Sequence, residues 1–557
     1  MDSRPCVPQS ASWRLRKQRA RAWCELRELH ARGAMPRSLC AIVFEMNSAS
    51  TDPFAFHDTA PAQCEIAVIG GGFCGLMSLA HLCSRHAIGS CCLFERSACS
   101  ALGVAYGACD DHQLLNVPAA RMGAYAERPV EFYEWLQRAF PQRFAPDAFV
   151  PRALYGRYLV DTVRESTQSA SHSTRVTTHT TTQFVSDAVI DLSAASDHYK
   201  LTLASGRVVR ANGVIVAVGI PQASPPWCAA DARAVAAIAP RVLAADAWSS
   251  SALDDIAPDA TVVLVGSGLT AMDMVSSLRR RGHRGKVFML SRHGRLPLPH
   301  ASARGAQDAV SDEASRARLS VISAEESRRS PQHAFRALRE AARALLRAGH
   351  DWQAAIDSAR PHTIAAWQAW SESDRAYFMH RLRSMWEIHR HRAPRELIES
   401  IERECAQGSI ELLAGTVESM RAVSNELVAL TVNTKAAATR TIHAARVINC
   451  TGPMMNLAQT DDAAHDHDHD ANSRTLLAAL LRRGMASVDK LGLGLRVDSA
   501  GQPITAHNTL LPRVRVVGGL LRGSVWESTA VPELRVQVAT ATQSLASELR
   551  IDRENKA

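Results

Sequence analysis

The chain lacks any pair of cysteines spaced C-x-x-C or C-x-x-x-x-C, although it carries 13 cysteines in 557 residues. That absence excludes a mechanism built on a redox dithiol. No apolar run approaches the ~20 residues needed to cross a bilayer, so a soluble protein with no membrane partner is expected. No signal-peptide pattern opens the chain, and Cys74, Cys83, Cys91, Cys92 and Cys450 fall inside apolar segments. Reduced thiols in a bacterial cytoplasm are the expectation. Excess positive charge is also scarcer than the total suggests. Of the net +9, residues 1–44 hold +6, from nine Lys and Arg against Asp2, Glu25 and Glu28, which leaves +3 for everything else. No nucleic-acid partner is expected from so local an excess.

Two glycine-rich segments stand out, with their first glycines 196 residues apart. The first is Glu65-Ile-Ala-Val-Ile-Gly70-Gly71-Gly72-Phe73-Cys74-Gly75, an apolar run entering G-x-G-x-x-G and leading into a helix-like segment. Gly70 permits a tight turn, Gly72 lets the backbone approach a pyrophosphate, and Gly75 allows close packing of helix on strand. The next apolar run, Cys91-Cys92-Leu93-Phe94, ends in Glu95, twenty residues after Gly75, where a carboxylate accepts from ribose hydroxyls. The second segment is Thr261-Val-Val-Leu-Val-Gly266-Ser267-Gly268-Leu269-Thr270-Ala271, its last glycine relaxed to alanine. Its following strand ends in Ser291-Arg292, so the carboxylate that would repel a 2′-phosphate is missing and a guanidinium stands beside its place. One nucleotide without a 2′-phosphate and one NADPH, with NADH possible, are the expected ligands.

The remaining pattern suggests four regions. Residues 1–61 read as a disordered basic tail or as a mis-assigned start, with Met46 an alternative beginning. Residues 62–257 form the first nucleotide domain, 258–450 the second with a helical insert at about 300–405, and 451–557 a return to the first. Apolar strands ending in glycine, Gly213–Gly219 and Arg446–Gly452, close both domains alike. The tract His465-Asp466-His467-Asp468-His469-Asp470 reads as a solvated loop rather than a metal site. A helix is expected from about Pro532 to Leu549.

Further motifs carry a resemblance: Gly103-Val-Ala-Tyr106-Gly107, Leu114-Leu115-Asn116-Val117-Pro118-Ala119-Ala120-Arg121-Met122, Pro151-Arg152-Ala-Leu-Tyr155-Gly156, Trp386 with His389-Arg390-His391-Arg392, and Trp526-Glu527-Ser-Thr529-Ala-Val-Pro532-Glu533. With the glycine fingerprint, this set resembles the FAD/NAD(P)-binding family that includes a type of FAD-dependent urate hydroxylase and the aspartate N-monooxygenases of nitroso and diazo biosynthesis. The resemblance implies an α/β flavoprotein with a Rossmann-like FAD domain, an inserted NAD(P)-binding domain and a helical insert. Gly70, Gly72, Gly75 and Glu95 would hold FAD, with Asn116 and Arg121 near the flavin. Gly266, Gly268, Ser291 and Arg292 would hold NADPH. Because Gly518-Gly519 departs from the Gly-Asp pair common in flavoproteins, a helix start near Thr529 or Ala530 would supply the polar flavin contact.

The implied activity is a monooxygenase that takes a small-molecule substrate and O2 and acts through a flavin C4a-hydroperoxide. Urate is the first expectation and an amino-acid N-hydroxylase the alternative; a flavin-binding sensor without a reaction is the reading from another class. A urate monoanion would need cations, which nominates Arg121, Arg152, His389, Arg390 and Arg392. Trp386 reads as packing, and no metal is expected.

Overall fold

The structure is a computed structural model that describes residues 54–96, 101–107, 109–110, 112–169, 180–223, 225–229, 238–249, 251–301, 324–435, 438–453, 456–457 and 471–555. Met46 and the His465–Asp470 tract lie outside the described residues. The compact unit that carries both sheets spans Phe54–Ala557, and Phe54 has a reason to belong to it. The reason is an aromatic anchor: Phe54 stacks on Phe184 at 4.9 Å, and His57 exchanges backbone hydrogen bonds of 2.9 Å with Phe184 and Ser186.

Strands β1 (Gln63–Ile69), β2 (Ser90–Glu95), β3 (Thr181–Ser186), β4 (Val189–Ala194), β5 (Tyr199–Leu203), β6 (Val208–Val216) and β14 (Val514–Val516) build the first sheet. Its order is β3-β2-β1-β6-β5-β4, with β14 also on β6. Strands β1, β2, β3, β6 and β14 run parallel, whereas β4 and β5 are antiparallel. One edge of β6 serves two partners, β5 through Val208–Ala211 and β14 through Val214–Val216, so the sheet forks. The apolar runs of β1 and β2 are buried on both faces, as a parallel sheet covered on both sides requires. One cover is α1 (Phe73–Arg85), buried from Phe73 to Cys83 and packed against α2 (Arg152–Ser169) and the C-terminal helix α5 (Val531–Glu554).

The second sheet repeats the plan with β7 (Leu243–Ala244), β8 (Val262–Val265), β9 (Val287–Ser291), β10 (Ile410–Ser424), β11 (Leu427–Thr434), β12 (Thr439–Ala444) and β13 (Arg446–Asn449). Its order is β12-β11-β10-β9-β8-β13-β7, parallel from β10 to β7 and antiparallel in β10-β11-β12. Helix α3 (Leu269–Arg280) follows β8 as α1 follows β1.

Between β9 and β10 the chain forms helices from Ala324 to Gln407, among them α4 (Arg383–Arg390). A π-helical turn at Phe378–Leu382 precedes α4 and buries Phe378 among Trp367, Trp370 and Trp526. Trp386 is buried in the same aromatic cluster.

Candidate functional site

The two glycine segments form matching cradles. Gly70 (φ +107°) and Gly266 (φ +129°) both occupy backbone conformations closed to ordinary side chains. A Cβ on Gly70 would lie 2.5 Å from the Ala217 carbonyl oxygen, just beyond β6, and one on Gly266 would crowd the Cys450 carbonyl just beyond β13. Each strand-ending return therefore presses against the turn of its own cradle. A Cβ on Gly75 would collide with the Gly70 carbonyl, whereas α3 accommodates the buried methyl of Ala271 at the equivalent place. The extended residues Gly72 and Gly268 cap α1 and α3, and as glycines they offer no side-chain cap to either helix start. Unspent N–H groups at such starts suit an anion.

The ends of β2 and β9 differ as their sequences require. Glu95 accepts hydrogen bonds from the Gly71 N–H at 2.6 Å and the Arg96 N–H at 2.9 Å. Burial raises its pKa, against the opposing pull of those bonds and of Arg96. Ser291 bonds Ser267 at 2.8 Å and accepts from the Gly294 N–H at 3.1 Å. Arg292 is exposed and makes no hydrogen bond or ion pair among the described residues. Lys435, from the end of β11, reaches the His293 ring at 3.0 Å. Partial burial and the charges of Lys435, Arg292 and Arg295 lower the His293 pKa, so three cations gather at this corner. Arg295 and Lys435 carried no sequence signal, because the fold brings them from beyond the fingerprint.

The five candidate substrate cations separate into groups. Arg152 leaves the first domain and meets Asp273 of α3 at 2.9 Å, while its Nε donates to the Leu114 carbonyl at 3.1 Å. Asp273 is pushed up to about 6 by burial, which outweighs the lowering by Arg152. Arg390 bonds Glu527 at 3.2 Å, and Trp386 donates to the same buried carboxylate at 3.2 Å. Arg360 grips Glu533 through bonds of 2.6 and 2.8 Å. Arg392 is bound to Gln353 and Asp357. Of the four guanidiniums the sequence suggested for an anionic substrate, the structure pairs Arg152, Arg390 and Arg392 with the carboxylates of Asp273, Glu527 and Asp357.

His389 bonds the Met385 carbonyl through Nδ1 at 2.7 Å, and its ring meets Trp352 edge-on at 5.3 Å. Arg121 is exposed near His300. His300, absent from the sequence candidates, bonds the Asn116 carbonyl at 3.0 Å and packs on Phe149. Burial first, and then Arg392, hold its pKa down to about 4. Gln353 holds the same segment, accepting from the Ala301 N–H at 3.0 Å and donating to the Pro299 carbonyl at 2.9 Å. Asn116, Arg121 and Arg392 thus share one neighbourhood through His300.

The first cradle fits a flavin nucleotide. Gly518 (φ +86°) abuts Cys74 of α1 and donates to Gln537 Oε1 at 3.3 Å, while Gln537 Nε2 and Ser528 Oγ are buried without a hydrogen-bond partner. Ala530 caps α5 without a side-chain bond, and Thr529 just before it is exposed. Gly518 and Gln537, the latter with an unbonded amide donor, therefore stand beside α1 of the first cradle. Among the described residues no group of three or more His, Cys, Asp or Glu is placed to hold a metal.

Comparison with known proteins follows this geometry. Residues 67–221 match the FAD-NAD(P)-binding family. No curated protein matches the sequence. Among solved structures, the ornithine N-hydroxylase of Kutzneria sp. 744 is similar at 14% identity and a TM-score of 0.54, covering 87% of this chain and 99% of that one. The ornithine hydroxylase of Pseudomonas aeruginosa gives 13% and 0.55, covering 87% and 100%. The L-lysine 6-monooxygenase of Pseudomonas syringae gives 14% and 0.53, covering 87% and 99%. At these identities the likeness is one of fold. Residues 67–221 thus resemble an FAD-NAD(P)-binding domain, and the chain shares the two-dinucleotide-domain fold of these hydroxylases.

Proposed function

We propose that the protein is an FAD-dependent monooxygenase that uses NADPH and O2 to N-hydroxylate the primary amine of an amino acid or diamine. The observation that carries this reading is the pair of matching cradles in one folded unit, whose strand ends differ where an adenosine ribose is told from its 2′-phosphate. The ornithine and lysine hydroxylases that share the fold support the amine. Charge supports it too. A urate anion needs uncommitted cations, yet Arg152, Arg390 and Arg392 face Asp273, Glu527 and Asp357. Guanidiniums already matched by carboxylates are poorly suited to compensate a buried monoanion.

FAD, when bound, supplies the passage of electrons from NADPH to oxygen. The protein's part is position and field. Gly70, Gly72 and the start of α1 receive the FAD pyrophosphate, and Glu95 accepts from its ribose. Gly266, Gly268 and the start of α3 do the same for NADPH, with Arg292, Arg295 and Lys435 around its 2′-phosphate. Asn116, fixed through its carbonyl by His300, and Arg121 stand on the flavin side. His389, whose Nδ1 is held by Met385, directs Nε2 away from its own helix as a substrate contact.

The test is NADPH oxidation by the purified protein with ornithine, lysine, cadaverine, aspartate and urate, with products identified by mass spectrometry. The reading expects one amine to accelerate oxidation and to yield its hydroxylamine. Acceleration by urate alone, or by none of the five while the flavin stays oxidised, would overturn it.

A further inference from the structure

One of the contacts between the two nucleotide domains lies on a single face of one helix. Asp273 and Ser277 stand four residues apart on α3, so they share a side of the helix. Asp273 meets Arg152 at 2.9 Å, and Ser277 takes Gln113 Nε2 at 3.1 Å and lies 3.3 Å from His112 Nε2. The first domain's two legs are themselves tied together: the Arg152 N–H donates to the Gln113 carbonyl at 2.9 Å, and Arg152 Nε donates to the Leu114 carbonyl at 3.1 Å. Two residues further along lies Asn116. The same helix starts at Gly268, in the second cradle.

The chemistry of this contact is an expensive way to gain stability. Asp273 is 4% exposed, Gln113 is 3% exposed and Ser277 is fully buried. A buried ion pair usually stabilises no more than well-packed apolar residues, because desolvation offsets the attraction. The Asp273 oxygen facing Arg152 has no aligned hydrogen bond, so the pair acts through charge at short range. What polar contacts of this kind supply is direction: apolar surfaces slide, whereas a charge pair and a hydroxyl four residues apart fix both rotation and translation of the helix.

Resting on the reading of a two-nucleotide monooxygenase, we propose that Arg152, Asp273, Gln113 and Ser277 form a clamp that sets the distance and angle between the pyridine-nucleotide cradle and the flavin-side segment carrying Asn116. These are positioning residues for hydride transfer rather than substrate contacts. Such transfer needs reacting atoms within a few tenths of an ångström of their productive place, and a misplacement of ~1 Å costs ~100-fold in rate.

The experiment is anaerobic stopped-flow reduction of the FAD-loaded, full-length protein by NADPH, which separates the limiting rate from the NADPH Kd. Asp273→Asn and Arg152→Gln are expected to slow the limiting rate ~10-fold or more with Kd changed less than ~3-fold. Arg152→Lys should recover most of the loss, and the double variant should be no slower than the slower single one. Reduction by dithionite should be unaltered throughout. Limiting rates within ~2-fold of the unsubstituted protein, or losses confined to Kd, overturn the clamp. Should Asp273→Asn fail to fold, Ser277→Ala and Gln113→Ala remove the other leg without stranding a charge. Unaltered limiting rates in both overturn the clamp as well. Failure of the unsubstituted protein to be reduced by NADPH sinks the functional reading itself.

Discussion

Arg292 is the residue on which the proposed choice of coenzyme turns. It carries no ion pair among the described residues and stands with Arg295 and Lys435 at the end of β9. Arg292→Ala should raise KM for NADPH ~10-fold or more while leaving NADH nearly unaltered, since a charge-assisted phosphate bond contributes about 1.5–3 kcal/mol. Equal effects on both coenzymes would remove it from the phosphate. His81 answers a different question. Burial and the nearby Arg85 push its pKa down to about 4 from 6.5, so the folded chain refuses a proton that the unfolded chain accepts. Its contribution to stability is whole above pH 6.5 and drains away as the pH falls towards about 4. His81→Gln should therefore lose less melting temperature than the unsubstituted protein between about pH 7.5 and 5, and parallel curves would contradict this. At this scale the sequence was an uneven guide. The glycines and Glu95 announced themselves because their work depends on near neighbours. Arg152, Arg390 and Arg392 did not disclose their partners, because a carboxylate 35 or more residues away leaves no local mark.

Two elements show how the cradles differ under one plan. The collision that a methyl on Gly75 would meet with the Gly70 carbonyl binds α1 tightly to β1, whereas α3 stands off far enough for Ala271. Gly75→Ala should yield protein that no longer retains FAD. Ala271→Gly should keep NADPH-dependent reduction and lose only about 1 kcal/mol of helix stability. Retention of FAD by Gly75→Ala, measured by absorbance after gel filtration, would contradict the tight packing. Helix α4 and the segment before α5 are joined by Arg390 and Glu527, both buried. Glu527→Ala leaves that guanidinium only the more distant Glu533 carboxylate at 3.9 Å, and urea unfolding should register a loss of up to about 3–5 kcal/mol. A loss below about 1 kcal/mol would place the pair with ordinary surface bridges. Both halves of this bond were visible in the sequence as separate motifs. Only the fold reveals that they are one contact.

For the whole molecule, the alternation of apolar strand, glycine turn and helix made the two-domain plan legible, since each unit is written in consecutive residues. The start of the fold was not, because Phe54 and His57 owe their order to Phe184 and its neighbours on β3. A chain begun at Met46 keeps every described contact and should melt within about 2 °C of the full chain, the low end of the shift that about 1 kcal/mol gives in domains of about 150–250 residues. A larger drop would assign residues 1–45 a part in stability. The central claim is that a single chain seats FAD and NADPH close enough for electrons to pass between them. Anaerobic addition of NADPH to the purified, FAD-reconstituted protein tests it most directly: the account predicts a yellow protein whose flavin band bleaches, and a colourless protein, or a band that persists with excess NADPH, would contradict it.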